Sequence, residues 1–363
     1  MAPYPLFNGY ALRVHHLLRH LAEEWRITLV SPEAAAPWPL AARMEAWHRV
    51  TGSGVGAKSA LTDATLAALK GSSAKAALLW AGAEEAALRH PDLFPPIIVD
   101  RIDSATLHAW RNRAHARTVR EWASAVSDVA NRAREERRIL KIAQATVVVG
   151  SDDARVLRTL RMGSRVEVVP NGCDVEPGIT SAAAGNPTVV FSGVLDYPPN
   201  VEAVRFFSRQ VWPEVRRLVP DSEWIIVGSS PNAQVRRVAS EPGVSLWADV
   251  PDVRDCLRHA WVAVVPMRSG CGIKNKVLEA WAVKRPVVLT SIAANGIQLD
   301  PISAELVVSS AGEMVEQIVR LLMDASARER YGTQGYELCR SQHRWDVAAQ
   351  RMHRLLESAG QFP

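Results

Sequence analysis

Residues 261–282 read WVAVVPMRSGCGIKNKVLEAWA, and this stretch decides the fold. Trp261–Val265 is a short apolar run of the kind that forms a buried parallel strand, and it ends at Pro266. A basic loop with two glycines follows, and a helix is predicted to begin near Asn275. A strand, a glycine-containing loop and a helix, in this order, form the repeating unit of a doubly wound α/β domain.

The same unit recurs through the second half of the chain. Short β-rich runs alternate with helical stretches there, and several of these runs end at glycine or proline. Continuous apolar strands that alternate with helices indicate a parallel sheet covered on both faces. Besides Trp261–Val265, the strands predicted in this half are Thr188–Ser192, Trp224–Val227, Val244–Trp247 and Val287–Thr290.

The first half repeats the pattern less regularly. An amphipathic helix is predicted over residues 11–24, and a long basic helical region precedes the last strand of this half. The predicted strands are Ile27–Val30, Ala77–Trp80, Ile97–Val99 and Thr146–Val149.

The pattern as a whole predicts two doubly wound α/β domains, 1–175 and 176–340. Pro177–Pro187 is rich in Gly, Ala, Ser and Pro and is interpreted as the linker between them. A final helical segment, 341–363, is expected to pack back towards the N-terminal domain.

Composition excludes several classes of protein. Of the 363 residues, 48% are hydrophobic and 22% are charged, which is the balance of a folded globular chain. The longest strongly apolar run, 260–267, is far shorter than the roughly 20 residues that span a bilayer. The 4 cysteines form no CxxC pair, so neither a zinc ribbon nor a disulfide framework is indicated. These features predict a cytoplasmic protein.

Positive charge is concentrated in one segment. The formal net charge is +5, and residues 101–141 alone hold ten Arg and Lys against five acidic residues. One interpretation is a solvated helical face. The other is a patch that faces anionic lipid headgroups, at the inner face of a membrane, or a phosphate-bearing acceptor. Nucleic acid is not an expected partner, because no aromatic-interleaved basic stripe or known nucleic-acid module accompanies the charge.

The loop after Pro266 carries the strongest functional signal. Arg268, Lys274 and Lys276 place positive charge beside the N-terminus of the predicted helix, and the loop glycines allow a ligand to approach the backbone. We interpret this loop as a cradle for a diphosphate. Glu279, one turn into the helix, could accept two hydrogen bonds from a ribose 2′,3′-diol. The alternative is an ordinary strand-to-helix turn with solvated lysines and a surface glutamate.

Several motifs in this order resemble one family. They are Pro170-Asn171-Gly172-Cys173-Asp174, Phe191-Ser192-Gly193, the 266–282 stretch and Arg344-Trp345. Together they resemble the retaining GT-B glycosyltransferases of the "glycosyl transferases group 1" type. More narrowly, Gly272–Ala280 and the Pro3-Tyr4-Pro5 start resemble sugar transferases associated with bacterial exopolysaccharide and PEP-CTERM systems.

The resemblance implies a GT-B fold, in which two Rossmann-like domains face each other across a cleft. It implies a hexosyltransferase-type enzyme that moves a sugar from a UDP- or GDP-linked donor to a glycan, lipid-linked or small-molecule acceptor with retention of configuration. Gly193 matches the glycine that lies against the donor diphosphate, and Glu279 matches the ribose-binding acid of the E-x7-E motif. The other expected donor-binding residues are Gly9, Arg268, Gly272, Ile273, Lys274, Asn275 and Lys276.

The sequence departs from the family pattern at Cys271, where the first acid of the E-x7-E motif would fall. That acid usually contacts the donor sugar, so the identity of the sugar is left open. Cys271 itself is interpreted as a buried small residue.

The first half supplies the residues expected on the acceptor side. Gly9 matches the loop glycine that closes over the reaction centre, and Arg13 is expected to point towards phosphate or acceptor, with a structural role as the alternative. Asp100 and Asp103 follow the strand that begins at Ile97. One of them is expected to position the acceptor hydroxyl, or to cap a helix, and both roles stay open.

The chemistry implied by the family needs fixed positive charge more than a nucleophile. As the bond to the nucleoside diphosphate breaks, Lys276 and its neighbouring cations are expected to stabilise the departing group. The sequence contains no metal-ligand spacing, and Lys and Arg can neutralise phosphate, so neither a metal nor a cofactor is expected. The alternatives are a nucleotide-sugar epimerase of GT-B architecture and a non-catalytic scaffold derived from a transferase.

Residues Gly52–Ser59 nearly match a Walker A loop, but Ala57 replaces the glycine before the lysine. The preceding residues, Ala46–Thr51, are predicted to be a poor strand. We therefore interpret the segment as a surface loop.

The start of the chain differs from the family pattern. Family members begin with a buried strand before the Pro-Tyr-Pro loop, whereas this sequence opens at that loop. The expectation from the resemblance is that the natural start lies upstream of Met1.

Overall fold

The computed structural model describes residues 9–32, 40–50, 54–70, 73–80, 83–113, 116, 118–175, 178, 185–270 and 272–361. Its internal contacts divide the chain into two compact units. Unit 1 comprises Met1–Asn171 and Trp345–Pro363, and unit 2 comprises Gly172–Arg344. The chain therefore passes between the units twice, and its last helix belongs to unit 1. Most of the interpreted linker, Pro177–Pro187, lies outside the described residues.

Unit 1 alternates strands and helices. Its strands are β1 Thr28–Pro32, β2 Ala46–Val50, β3 Ala77–Trp80, β4 Ile97–Ile102, β5 Ala145–Val148 and β6 Val166–Val168. Its helices are α1 Gly9–Leu21, α2 Gly54–Leu69, α3 Glu84–Arg89, α4 Ala105–Asn112, α5 Val119–Ile142, α6 Ser151–Leu160 and, at the end of the chain, α16 Trp345–Gly360.

The strands of unit 1 form a four-stranded parallel sheet, in the order β3-β4-β5-β6, and a separate parallel pair, β1-β2. Apolar side chains of α1 and α16 pack with those of β4 and β5 in one core, which includes Leu17, Ile98, Val147 and Met352. Both faces of this sheet are covered, so side chains on both sides of each strand are buried. The strands therefore read as continuous runs of apolar residues and do not alternate between apolar and polar residues.

The segment near the Walker-like sequence differs from our prediction. Ala46–Val50 forms β2, which pairs in parallel with β1 from Thr28↔Ala46 to Pro32↔Val50. The expectations of a poor strand and of a surface loop were therefore wrong, because pairing with a neighbouring strand overrides weak local preference. Helix α2 begins at Gly54, so Lys58 lies within a helix, and Ala57 still occupies the glycine position of a Walker loop.

Unit 2 is the more regular of the two. Its strands are β7 Thr188–Ser192, β8 Glu223–Gly228, β9 Val244–Ala248, β10 Val262–Val265, β11 Val287–Thr290 and β12 Val307–Val308. Its helices are α7 Pro198–Gln210, α8 Trp212–Leu218, α9 Ala233–Val238, α10 Val253–His259, α11 Asn275–Ala282, α12 Ser291–Ala294, α13 Pro301–Ala304, α14 Ala311–Met323 and α15 Ala325–Gln342.

The six strands of unit 2 form one parallel sheet in the order β12-β11-β10-β7-β8-β9. The chain builds outward from β7 to β9, then returns to the other side of β7 and builds outward again from β10 to β12. This is the doubly wound topology predicted from the sequence. None of the helices among the described residues combines the length and apolar character needed to cross a membrane.

The carboxyl ends of β7 and β8 are in backbone contact. Gly228 has φ 152°, and a Cβ placed on it would lie 1.7 Å from the carbonyl oxygen of Gly193. The Gly193 amide in turn donates to the Val227 carbonyl oxygen at 3.1 Å. Only glycine at position 228 allows the two loops to approach this closely.

We predict that Gly228→Ala lowers the stability of unit 2 by about 3 kcal/mol or more, because the new methyl group must displace backbone. Thermal unfolding followed by circular dichroism measures the change. The control is Gly312→Ala, at an exposed helical position where the nearest atom to the new Cβ is 4.0 Å away. That variant should be neutral or slightly stabilised. Equal unfolding midpoints for the two variants would contradict the prediction.

Candidate functional site

The strand order of unit 2 reverses between β7 and β10. These two strands are neighbours in the sheet, but the chain leaves them in opposite directions. The loops that follow such strands diverge and open a crevice at their carboxyl ends, where doubly wound domains bind ligands. Gly193 follows β7, and the 266–274 loop follows β10. Gly193 and the donor-binding residues predicted between Arg268 and Glu279 therefore lie at or next to the place in this sheet where the topology provides a crevice, whereas Gly9 lies in unit 1.

Gly193, Asn200 and Lys276 form a tight cluster at this crevice. The Lys276 ammonium donates to the Asn200 side-chain oxygen at 2.6 Å. The Asn200 amide nitrogen donates to the Val194 carbonyl oxygen at 2.8 Å, so the orientation of the side chain is fixed. A Cβ on Gly193 would lie 2.8 Å from both Asn200 Nδ2 and Lys276 Nζ. Glycine at 193 thus leaves the space that the lysine head occupies.

The surroundings of Lys276 disfavour its charged form. Its Nζ lies 4.4 Å from the centroid of the Phe191 ring. Burial lowers the pKa of Lys276 to about 7, an effect that the Glu279 carboxylate opposes and the Lys274 charge reinforces. A cation–π contact and one neutral amide replace only part of the hydration of an ammonium group. An anion bound beside Lys276 would supply the negative charge and the further hydrogen-bond acceptors that the ring and the amide do not provide.

Two side-chain hydrogen bonds stabilise the described residues of the 266–274 loop, one within the loop and one to α7. Lys274 is buried, and its ammonium donates to the Gly272 carbonyl oxygen at 2.9 Å. The Ser269 hydroxyl donates to Glu202 of α7 at 2.7 Å. Gly270 and Gly272 adopt φ of 105° and 68°, which favour glycine. Helix α11 then begins at Asn275, and the first N–H groups of a helix lack intrahelical acceptors and carry partial positive charge.

Arg268 points to a different part of the same edge. It is exposed, and its guanidinium carbon lies 5.2 Å from the centroid of the Phe206 ring. With Thr290 at the end of β11 and Ser310 at the start of α14, it lines a cavity of about 270 Å³. The structure brings Lys276 and Gly193 into contact, whereas Arg268 contacts α7 instead. Ile273 is buried in the loop, and Asn275 is half-buried.

Glu279 lies one turn into α11 and is partly exposed. Burial raises its pKa, while the positive charges of Lys276 and Arg254 act in the opposite direction. Arg254 itself is held by Asp252 at the start of α10, with Nη2 and Oδ2 separated by 2.7 Å. The two cations therefore offset part of the effect of burial, and the pKa of Glu279 stays above its usual value.

In unit 1, two predicted site residues bind each other. Arg13 is fully buried, and its Nε donates to Asp100 Oδ2 at 2.7 Å. The remaining contacts of Arg13 are to the Val169 carbonyl oxygen at 3.0 Å and to Asn171 Oδ1 at 2.9 Å. The Trp80 indole also donates to Asp100, at 3.2 Å. This geometry favours the structural alternative for Arg13, and it holds Asp100 in an ion pair rather than at a helix cap, because these contacts join α1, β3, β4 and the chain after β6.

Asp103 is more accessible and follows a strained turn. Ile102 has φ 65°, an unusual value for a β-branched residue, and the β4–β5 register shifts between Asp100 and Ile102. The cap of helix α4 is Ser104 rather than Asp103. Asp153 accepts from the Ser104 amide at 2.8 Å, and burial raises its pKa to about 6, with Asp103 contributing in the same direction. Strain of this kind is common at functional sites.

Two other predicted residues, Gly9 and Cys271, lie at or beyond the ends of described segments. Gly9 is exposed and is the first residue of α1. Cys271, like the Pro3-Tyr4-Pro5 motif, lies outside the described residues.

The structure adds residues that the sequence did not indicate. Asn200 and Phe191 contact the Lys276 side chain, and Arg254 and Asp252 lie near Glu279. Asn200 follows Pro198-Pro199 at the start of α7, which is a helix-start signal but not a functional one. Its contact with Lys276 depends on the pairing of β7 with β10 in the sheet, which the sequence does not show.

Sequence comparison identifies one part of the chain. Residues 186–324 match the family model described as Glycosyl transferases group 1. This match lies within unit 2 and contains Gly193, Lys276 and Glu279. A search of curated protein sequences found no significant match.

Structural comparison extends to the whole chain. HepE of Anabaena, solved with UDP and glucose, aligns with a TM-score of 0.69 at 12% identity, over 99% of this chain and 98% of HepE. WaaG, described as a glycosyltransferase involved in lipopolysaccharide biosynthesis, aligns with a TM-score of 0.67 at 12% identity, over 97% of both chains.

A mutant of S. aureus TarM, solved with Fondaparinux, alpha-GlcNAc-glycerol and UDP, also aligns, with a TM-score of 0.61 at 11% identity. The alignment covers 82% of this chain but only 59% of TarM. Together the comparisons confirm the predicted fold class: the chain has the GT-B fold, with two Rossmann-like units built on parallel sheets. Unit 2 contains a glycosyl transferases group 1 domain.

We predict that Asp100→Ala destabilises unit 1 by about 3–5 kcal/mol, because it leaves the Arg13 guanidinium buried without a counter-charge. Chemical denaturation measures the loss. In the matched double variant Arg13→Met/Asp100→Leu, where no charge is left unpaired, most of the stability should return. If the double variant is no more stable than the single one, the ion pair does not have the structural role assigned to it.

Proposed function

We propose that the protein is a glycosyltransferase of hexosyltransferase type that moves a sugar from a nucleotide-sugar donor to an acceptor with retention of anomeric configuration. The observation that carries the proposal is the cluster of Gly193, Asn200 and Lys276 at the crevice between the carboxyl ends of β7 and β10. It lies within the segment that matches the group 1 glycosyltransferase model. Solved structures with this fold contain UDP with glucose, in HepE, and UDP with Fondaparinux and alpha-GlcNAc-glycerol, in the TarM mutant.

In this proposal the diphosphate of the donor lies over Gly193, against Lys276 and the first N–H groups of α11. A phosphate oxygen there would take a charge-assisted hydrogen bond from the Lys276 ammonium. Asn200 holds that ammonium in place before the ligand arrives, so little reorganisation is needed as the bond to the anomeric carbon breaks. Fixed charge of this kind stabilises the leaving diphosphate more than it stabilises the intact donor.

The nucleoside end of the donor is assigned to Glu279. Its carboxylate would accept hydrogen bonds from both hydroxyls of the ribose, and Arg254 and Lys276 favour the ionised form that this requires. We propose that Lys276 and the other cations of the loop provide the neutralising charge for the diphosphate, without a resident metal ion. The donor is a UDP- or GDP-linked sugar in this proposal.

The acceptor side is assigned to the carboxyl end of β4. Asp103 follows the strained turn at Ile102 and stays partly accessible, whereas Asp100 is enclosed by Arg13 and Trp80. Asp103 is therefore the better candidate to orient an acceptor hydroxyl. The acceptor is a glycan, a lipid-linked sugar or a small molecule, in keeping with the resemblance to exopolysaccharide transferases.

We predict that Lys276→Met and Glu279→Gln each weaken binding of the matching nucleoside diphosphate by about tenfold to a hundredfold, since each removes a hydrogen bond to a charged group. Titration calorimetry with UDP and GDP measures the affinities. Glu316→Gln, at an exposed glutamate of α14, is the matched control and should bind like the parent protein. Unchanged affinity in both site variants would overturn the proposed donor site.

Donor binding should also take up a proton. In the free protein the pKa of Lys276 is about 7, and a neighbouring diphosphate raises it by favouring the charged ammonium. Affinity should therefore fall as the pH rises above 7, by up to about tenfold per pH unit. Calorimetry near pH ~8 in buffers of different ionisation enthalpy measures the proton uptake.

Lys276→Arg is the control for proton uptake, because a guanidinium stays charged throughout this range. In that variant the uptake should vanish while binding persists. An uptake that is the same in the parent protein and in Lys276→Arg would assign the proton to another group.

A further inference from the structure

Helix α5 leaves most of its length uncovered. It has 24 residues, yet its buried side chains, Glu136, Ile139 and Leu140, all lie in its last two turns. Residues 118–124 and 126–128 are exposed. A helix of a globular protein ordinarily buries one face along its length. Helix α4 packs against α5, but no side chain in the first half of α5 is buried in the described structure.

The uncovered half has an apolar face. Val119, Trp122 and Val126 follow one another at intervals of three and four residues, which places them on one side of the helix. They are 85%, 55% and 39% exposed. Exposed apolar residues that occur singly need no explanation, but a row of three with a tryptophan at its centre does.

Helix α4 adds a second exposed tryptophan to the same hairpin. Glu136 of α5 accepts hydrogen bonds from the Ser104 hydroxyl at 3.0 Å and from the Ala105 amide at 2.7 Å, so α4 starts against the body of the unit. Trp110, near the other end of α4, is 51% exposed. The Arg113 guanidinium carbon lies 3.4 Å from the centroid of its ring. The free end of the hairpin therefore presents aromatic rings with arginine beside them.

The charge of this hairpin is positive. Residues 105–128 contain four arginines and two acidic residues. Arg120, next to Val119, makes no hydrogen bond or ion pair with any residue that the structure describes. We propose that the free end of the α4–α5 hairpin docks on an anionic lipid bilayer, with Trp110, Trp122 and Val119 entering the interface and with Arg113 and Arg120 binding lipid phosphates.

Two features favour a bilayer over a second copy of the chain. The exposed stripe covers about two helical turns, whereas a coiled coil needs apolar heptads over three or four repeats. Tryptophan and arginine also suit a boundary that is apolar on one side and phosphate-rich on the other, because each has an apolar body and a polar tip. Membrane docking of this hairpin does not depend on the proposed glycosyltransferase activity.

The test is flotation of the full-length protein with vesicles of phosphatidylcholine alone or mixed with phosphatidylglycerol. We expect binding only to the mixed vesicles, weakened by high salt because the attraction is partly electrostatic. Val119→Ser/Trp122→Ser should reduce the bound fraction at least about tenfold, and Arg120→Glu should reduce it by a smaller factor.

The matched control is Leu93→Ser/Met162→Ser, which removes two exposed apolar residues of unit 1 outside the hairpin. It should bind like the parent protein, and unchanged circular dichroism spectra show that each variant is folded. Equal binding to both kinds of vesicle, or equal binding by the hairpin and control variants, would overturn the proposal. A change of oligomeric state in the hairpin variant, measured by light scattering, would show instead that the stripe is a contact between copies.

Discussion

The structure of unit 2 depends on the absence of side chains at two positions. A Cβ at Gly228 would collide with the Gly193 carbonyl oxygen at 1.7 Å, and a Cβ at Gly193 would lie 2.8 Å from Lys276 Nζ. Gly228 brings the β7 and β8 loops together, and Gly193 leaves room for Lys276, in the first turn of α11. The Lys276 ammonium can therefore lie at the crevice between β7 and β10 only because Gly193 and Gly228 both lack a methyl group.

The two units treat buried charge in opposite ways. In unit 1, the charge of Arg13 is balanced by the Asp100 carboxylate, and Arg13 also donates to Asn171 and a backbone carbonyl, although Arg13 Nη2 and Asp100 Oδ1 have no hydrogen-bond partner among the described residues. In unit 2, Lys276 has one neutral amide oxygen and the face of an aromatic ring. A cation paired with a carboxylate serves the fold, whereas a cation at a crevice with no such counter-charge in contact leaves capacity for an anionic ligand. This contrast separates structural arginine from candidate functional lysine.

The sequence predicted unit 2 well because its strands are continuous apolar runs with clear ends. Thr188–Ser192 and Val287–Thr290 of unit 2 have the predicted bounds, and so does Ala77–Trp80 of unit 1. β2 was missed because its formation depends on a partner strand, β1, that local pattern cannot reveal. At the candidate site, the residues from Arg268 to Glu279 are close in sequence, so their pattern predicts a binding loop for a diphosphate. Asn200 could not be predicted in the same way, because it lies 76 residues away in sequence from Lys276. The pairing of Arg13 with Asp100 likewise spans 87 residues.

The pKa shifts of Lys276 and Glu279 bear on why these residues occupy the crevice at all. Burial lowers the pKa of the lysine and raises that of the glutamate, so the fold alone disfavours both charged forms. A more stable domain would carry apolar residues there. An anion beside the lysine and hydroxyl donors beside the glutamate would reverse both effects at once. The proposed nucleoside diphosphate offers both features in one molecule, the diphosphate on the 5′-oxygen of the ribose and the hydroxyls on the ribose ring, whereas an isolated phosphate offers only the first.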